Sequence, residues 1–271
     1  MAADDAPDQF SSAANARLQR IKDALMAEIV QRLQRLNQSD GKLSSEAAAL
    51  DNARTIRRQV MDLMEEAGAP TVESVGEAAV MDAVSAALAQ HAPAPSVDNG
   101  GMIGFSTAPD AKQQIAMSVQ GVLDQITGVF ADGAQAMRKA IDVGLNTGSD
   151  LQSVITDVAQ ALETTFDRAT TATDTAIRGA MRMALVMQAE RGAEAAGITM
   201  LYLYLGPDDG KTRPFCEEHV NRVYSLDALK AMDNGTDLPV EIFAGGYSCR
   251  HALSPIDEES ARAEGYTVIL E

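Results

Sequence analysis

Four side chains near the end of the chain could do chemistry together: Cys216, His219, Cys249 and His251. They comprise both cysteines and two of the three histidines in the 271-residue sequence. Zinc takes four sulfur or nitrogen donors in a tetrahedron, and a structural site usually leaves no position open. Cys216-x-x-His219 can present two donors from one helical turn. Cys249-x-His251 can do so from an extended segment, where residues two apart point to the same side. The residues between the pairs would then form a small fold closed by one Zn2+ ion, whose binding offsets a thin core. Asp208, Asp209, Glu217 and Glu218 are either solvated acids, the default for each, or candidate acceptors for the outer N–H of a ligating histidine.

The same four residues admit two other readings. The cysteines can be ordinary buried thiols beside histidines that hydrogen-bond to the backbone, with no metal. Alternatively, Cys216 and Cys249 can pair as a disulfide once the protein leaves the cytoplasm. Catalysis fits less well. Cys216 and His219 could make a thiolate–imidazolium pair, yet no third group orients the base and no oxyanion donor is evident. His219 with Asn221 is faintly similar to the metal-dependent His-Asn-His nucleases, but the other histidine is missing and the chain is acidic. No catalytic residue and no organic cofactor is expected.

The elements that must position these residues are mostly helical. Apolar residues make up 46% of the chain but aromatics only 4%, and Trp is absent. Ala and Met carry much of the apolar content, which suits helices better than sheets. The net charge of −17 is spread along the chain, with no basic stripe, so duplex DNA is not expected to be a primary partner. The opening MAADDAPDQF has neither a cationic start nor an apolar run, so no secretory signal is expected. No stretch reaches the roughly 18 uninterrupted apolar residues of a membrane span. Two cysteines do not make a disulfide framework. The expectation is a soluble protein made in a reducing cytoplasm.

Leu18, Ile21, Leu25, Ile29, Leu33 and Leu36 recur in steps of three and four, which predicts an amphipathic helix over 9–38. A turn follows at 37–41, then a second helix capped by Ser44 or Ser45, with Glu46 in its first turn and Gly68 as its stop. A third helix runs from about Thr71 to Gln90. Arg57, Arg58, Glu65 and Glu66 read as solvated outer faces. Residues 91–108 hold Pro and Gly with little charge and read as a linker; His91 at its start is a polar residue after a helix end. Helical character resumes from Asp110 to Val143, from a cap at Ser149 to Leu162, and from Phe166 to Ala196. In the last of these, Met181, Met183 and Met187 are packing residues. From Ile198 the composition shifts. Met200–Leu205 is strand-like, Gly206–Gly210 is a turn, Val223-Tyr224 and Tyr266–Leu270 are short strands, and Asp257–Glu264 is a short helix. The expected fold is mainly α, with long helical N-terminal and central regions and a small C-terminal α/β module. The expected segments are a helical arm or hairpin at 1–90, a linker at 91–108, a helical region at 109–197 and the Cys/His module at 198–271.

Over about residues 140–256 the chain resembles the phage Mu F-type head morphogenesis family, the minor head proteins of tailed bacteriophages. Four pieces come in the family's order. Gly144-Leu145-Asn146-Thr147-Gly148-Ser149 is like its Gly-x-Ser entry to a helix. Arg168-Ala169-Thr170-Thr171-Ala172-Thr173-Asp174-Thr175 stands in place of its Arg-Ala-x-x-Ile-Ala-Arg-Thr-Glu helix. Asp209-Gly210-Lys211-Thr212-Arg213-Pro214-Phe215-Cys216 is similar to its Asp-x-Arg-Thr-x-x-x-Cys segment. Gly245-Gly246-Tyr247-Ser248-Cys249-Arg250-His251, followed by Pro255, looks like its Cys-Arg-Cys or Cys-Arg-His close. Asp174 and Ala176 depart from the family's Arg and Glu, Gly246 stands where many members have His, and His219 where many have a second Cys. The resemblance implies a virion component in multiple copies, associated with the portal or major capsid protein during head assembly and DNA packaging, and not an enzyme. Lys211 and Arg250 are candidate contacts, and the helices of 1–90 would dock on the portal or shell. The alternative is a phage-delivered metal-dependent nuclease or toxin-like effector.

Overall fold

The computed structural model describes residues 6–36, 38–39, 42–44, 47–90 and 109–270. The expected linker at 91–108 with His91, and Ser45 and Glu46 of the expected cap, lie outside these residues. The fold is mainly α with a small C-terminal sheet module, as expected. No helix among the described residues is long and apolar enough to cross a membrane.

Helix α1 (Ala6–Leu33) buries Leu18, Leu25, Ile29 and Leu33 along the stripe read from its sequence, and Leu36 continues it past the helix end. Strands β1 (Gln38–Ser39) and β2 (Lys42–Leu43) form a minimal antiparallel hairpin. Helix α2 (Ala47–Asp62) does not stop at Gly68. It widens into a π-helical segment (Leu63–Gly68) and runs directly into α3 (Ala69–Gln90). Two facts explain the continuity. Gly68 is small because Phe130 occupies the space: an added Cβ would sit 2.8 Å from its ring. Pro70 brings no N–H, and the wider turn before it, with Ala69 N–H bonded to Met64 O, absorbs the mismatch.

Helix α4 (Pro109–Thr147) ends where Gly148 takes φ +63, the left-handed stop that glycine adopts at no steric cost. Helix α5 (Leu151–Ala196) is one element of 46 residues, not the two expected. Its cap is Asp150, whose carboxylate accepts from Ser153 N at 2.9 Å. Ser149, the expected cap, instead packs its hydroxyl on Thr147 and offers its carbonyl to Leu43 N. No Gly or Pro lies between Leu162 and Phe166. The Glu-Thr-Thr run there costs only a few tenths of a kcal/mol per residue in helix propensity, and the buried faces of Leu162, Thr165 and Phe166 outweigh that.

Two compact units emerge, neither continuous in sequence. Ser11–Ala78 packs with Val122–Thr173; the described parts of Met1–Phe10, Ala79–Gly121 and Asp174–Glu271 form the other. The described residues of 1–90 are divided between the two units. Within the first unit Phe130 and Phe166 meet edge to face at 5.4 Å. Gly133 lies so close to Thr165 that no side chain fits. Arg57, expected on a solvated face, pairs with Asp142 at 2.5 Å, and Lys22 pairs with Glu163 at 2.7 Å.

The other unit contains the sheet, with strand order β5-β3-β4-β6. Strand β3 (Met200–Leu205) runs antiparallel to β4 (Arg222–Tyr224) and β5 (Ala252–Asp257), while β6 (Thr267–Ile269) lies parallel to β4. Strand β3 is covered on both faces, which accounts for its unbroken apolar run. Leu201 and Leu203 pack with Val223 and with Ala261 of α9 (Glu258–Ala263). Tyr202 and Tyr204 face Val186, Cys216, Tyr224, Leu229, Val240, Cys249 and Leu253. Short helices α6 (Pro214–His219), α7 (Leu226–Ala231) and α8 (Val240–Phe243) fill the connections. Met181 is buried and Met183 and Met187 are half-buried in α5, in keeping with packing roles.

Candidate metal centre

Pro214 opens α6, where a missing N–H is harmless and the fixed φ suits the helix. The helix carries Cys216 inward to 1% exposure, within hydrogen-bonding reach of Tyr204, whose Oη lies 3.4 Å from Cys216 Sγ. On the other side, the register Leu205↔Ala252 sets His251 beside Gly206, so close that a Cβ on Gly206 would strike the imidazole. Cys249 and His251 are each 3% exposed, and the intervening Arg250 is exposed, as an extended segment requires.

Cys216, Cys249 and His251 come together. Their sulfur and nitrogen atoms all lie within 4.8 Å of one another. The two sulfurs are 3.8 Å apart, and Cys249 Sγ is 3.6 Å from His251 Nδ1. Metal–sulfur bonds of about 2.3 Å and metal–nitrogen bonds of about 2.05 Å in a tetrahedron would give edges of about 3.8 and 3.6 Å. This buried group could hold a metal ion. Both thiols are free, and their separation is far beyond a sulfur–sulfur bond.

His219 does not join them. It shares a 2.7 Å hydrogen bond through Nδ1 with Tyr224 Oη, and its ring packs 4.3 Å from that of Phe215. Burial pushes its pKa below the usual histidine value. The two histidines thus separate by chemistry. His219 has the ordinary partner of a core histidine. His251 has only sulfur: Nδ1 lies 3.6 Å from Cys249 Sγ, and Nε2 is buried without a hydrogen bond. A half-satisfied buried imidazole costs about 1–3 kcal/mol.

The loop before Cys249 is held in sparsely populated backbone. Ala244 and Ser248 have φ of 52 and 48, and Gly246 has φ of 91. Such strain persists only where the surroundings over-determine it. Arg213 donates to the carbonyls of Gly245 and Tyr247 at 3.0 and 2.6 Å. Asn234 donates to that of Ala244 at 2.8 Å, and Thr175 accepts from Ser248 N at 2.8 Å. Gly245 N–H points at Cys249 Sγ at 3.2 Å, and a side chain on Gly245 would collide with Cys216 Sγ.

Arg182 reaches this loop from α5. It is 5% exposed and donates to the carbonyls of Cys249, His251 (2.7 Å) and Ile242 (3.4 Å). Desolvation pushes its pKa down, while the nearby Cys249 opposes that shift. Of the two thiols, Cys249 is the more acidic. The hydrogen bond from Cys216 lowers its pKa most, and His251 and Arg182 add to the effect against the penalty of burial. Cys216, as donor in that bond, is raised.

The acids expected to orient a histidine do not. Asp209 forms a paired contact with Arg250 at 2.6 and 2.9 Å and accepts from Lys211 N at 2.9 Å. Those bonds hold its carboxyl well below the usual range, Arg250 contributing most. Asp208, Glu217 and Glu218 are exposed. Thr212 accepts from Asp209 N and donates to Pro207 O, closing the turn after β3. Sequence reasoning missed Arg182 and Tyr204 as parts of the centre. Arg182 carried a signal: it is a cation in helical step with the buried Thr175 and Val186 of α5. Tyr204 carried none beyond its place in a strand.

No family model, curated protein or solved structure matches this chain.

Proposed function

We propose that the chain is a bacteriophage minor head protein, made in the host cytoplasm and carried in the phage head, whose C-terminal module is organised by one Zn2+ ion. Cys216, Cys249 and His251 would hold the ion, and the ion would supply folding energy and no chemical step. The partners are the portal or the major capsid protein during head assembly and DNA packaging.

The observation that supports this reading is how three of the four resembling pieces work together. Asp209 of the turn segment grips Arg250 of the closing segment, and Arg213 grips the Gly245 and Tyr247 carbonyls. Thr175, at the end of the helical piece, caps Ser248 N. Residues far apart in sequence thus act as one clasp around the three donors, so the motif has a structural reason for each of these parts. An acidic chain of net charge −17 in the same head as packaged DNA would be kept from sticking to it. Mass spectrometry of purified particles and proheads tests the reading. The chain should appear in both, at several copies per particle. Absence from both contradicts it.

A further inference from the structure

The three-donor group leaves one tetrahedral position unaccounted for, and the surroundings of that position are specific. His219 is committed to Tyr224. A cleft of about 70 Å³ is bordered by all three donors together with Lys211, Thr212, Arg213, Ser248 and Arg250. No carboxylate is among the described residues that border it. A cleft of that size admits a few water molecules or a small anion.

We infer that the fourth position of this centre is reserved for a small, exchangeable anionic donor from outside the chain, admitted through the cationic cleft. The inference rests on the proposed metal reading. A divalent ion with two thiolates and a neutral imidazole carries no net charge. Around it stand Arg182, buried behind the Cys249 and His251 carbonyls, and Lys211, Arg213 and Arg250 at the cleft. Asp209, paired with Arg250, and Asp174, whose charge acts on Arg182, offset them in part. The local field therefore favours an anion over a neutral water as fourth ligand. Arg213 and Arg250 are tied in place by the Gly245 and Tyr247 carbonyls and by Asp209, so the rim is preformed. The cleft also separates this centre from a closed structural site, in which the protein supplies every donor.

Cobalt substitution tests the inference, because the visible bands of Co2+ report its ligand set. The full-length protein, reduced and loaded with Co2+, is titrated with azide. The expected result is uptake of one Co2+ with thiolate bands, followed by a saturable change in the visible bands as azide enters. Lys211→Ala should weaken azide binding roughly three- to ten-fold without changing the Co2+ ratio. His219→Gln should leave the Co2+ spectrum unaltered. Co2+ that binds but ignores azide, or a spectrum that changes in His219→Gln, overturns the open position while the metal reading stands. Failure to take up Co2+ at all sinks the metal reading itself.

Discussion

The helical unit built from 11–78 with 122–173 and the C-terminal module of 200–270 are stabilised in contrasting ways. The helical unit relies on repetition. Leu18, Leu25, Ile29, Leu33, Leu123, Ile126, Phe130, Val158, Leu162 and Phe166 bury a long aliphatic seam in which no single contact is decisive. The module has a smaller core, built on Tyr202, Tyr204, Tyr224 and Phe243 with Leu201, Leu203, Leu229, Leu238 and Leu253 around them. It fixes its loops instead with polar side chains on backbone carbonyls and with a three-donor group. A distributed core tolerates sequence change and carries no chemistry. A sparse core concentrates stability in a few polar contacts, and there the candidate site lies.

The largest expected effect follows from removing a donor. Cys249→Ala should abolish metal uptake and loosen the module, since structural zinc supplies on the order of 10 kcal/mol of apparent binding energy in small metal-dependent folds. Limited proteolysis should then cut within 206–213 and 244–250; a protection pattern equal to that of the unaltered chain would remove the contrast between the regions.

An overpacking change in the helical unit should act differently. Gly133→Leu forces a side chain into Thr165 and should cost about 1–3 kcal/mol, lowering Tm by several degrees with metal content unchanged. A loss of metal in this variant would show that the two regions do not fail separately.

Arg182→Ala comes third. It leaves the carbonyls of Cys249, His251 and Ile242 without their buried donor, at about 1–3 kcal/mol, and should weaken metal affinity about tenfold. Competition with a chromophoric chelator measures this. Unchanged affinity would reduce Arg182 to a packing residue.

The smallest effect is a matter of pH. The Asp209 carboxyl is lowered by Arg250 and the Lys211 N–H. A carboxyl held below its unfolded value stabilises the fold above the ordinary carboxylate range and loses that contribution as pH falls through its lowered folded value. The pair is exposed, so the contribution is small and screened by salt. Melting curves of the unaltered chain and of Asp209→Asn should differ slightly at pH 7 and converge as the pH falls below about 4. A gap that persists in acid would contradict the assignment.

The same contrast governs how much could be read beforehand. The stripe of α1, the strand at Met200–Leu205 and the short strands at Val223 and Val268 follow from periodicity and composition, and they appear where expected. The joints do not. Gly68 and the segment after Leu162 read as breaks because local propensity is weak there, but tertiary packing decides, through Phe130 in one case and the Thr165–Phe166 face in the other. Helices α7 and α8 are too short to show a period. Within the candidate site, spacing made His219 and His251 equivalent. What separates them is Tyr224, a residue of β4 whose hydroxyl takes His219, and no local pattern reports that pairing.

Metal content with sulfur count tests the central claim most directly. X-ray absorption and elemental analysis of the reduced, purified chain should give a metal-to-protein ratio near one, with two sulfur donors and one imidazole from the protein. The ratio should be lost in Cys216→Ser and in Cys249→Ser and retained in His219→Gln. A ratio near zero, with both thiols titrating freely in the folded protein, would contradict the account.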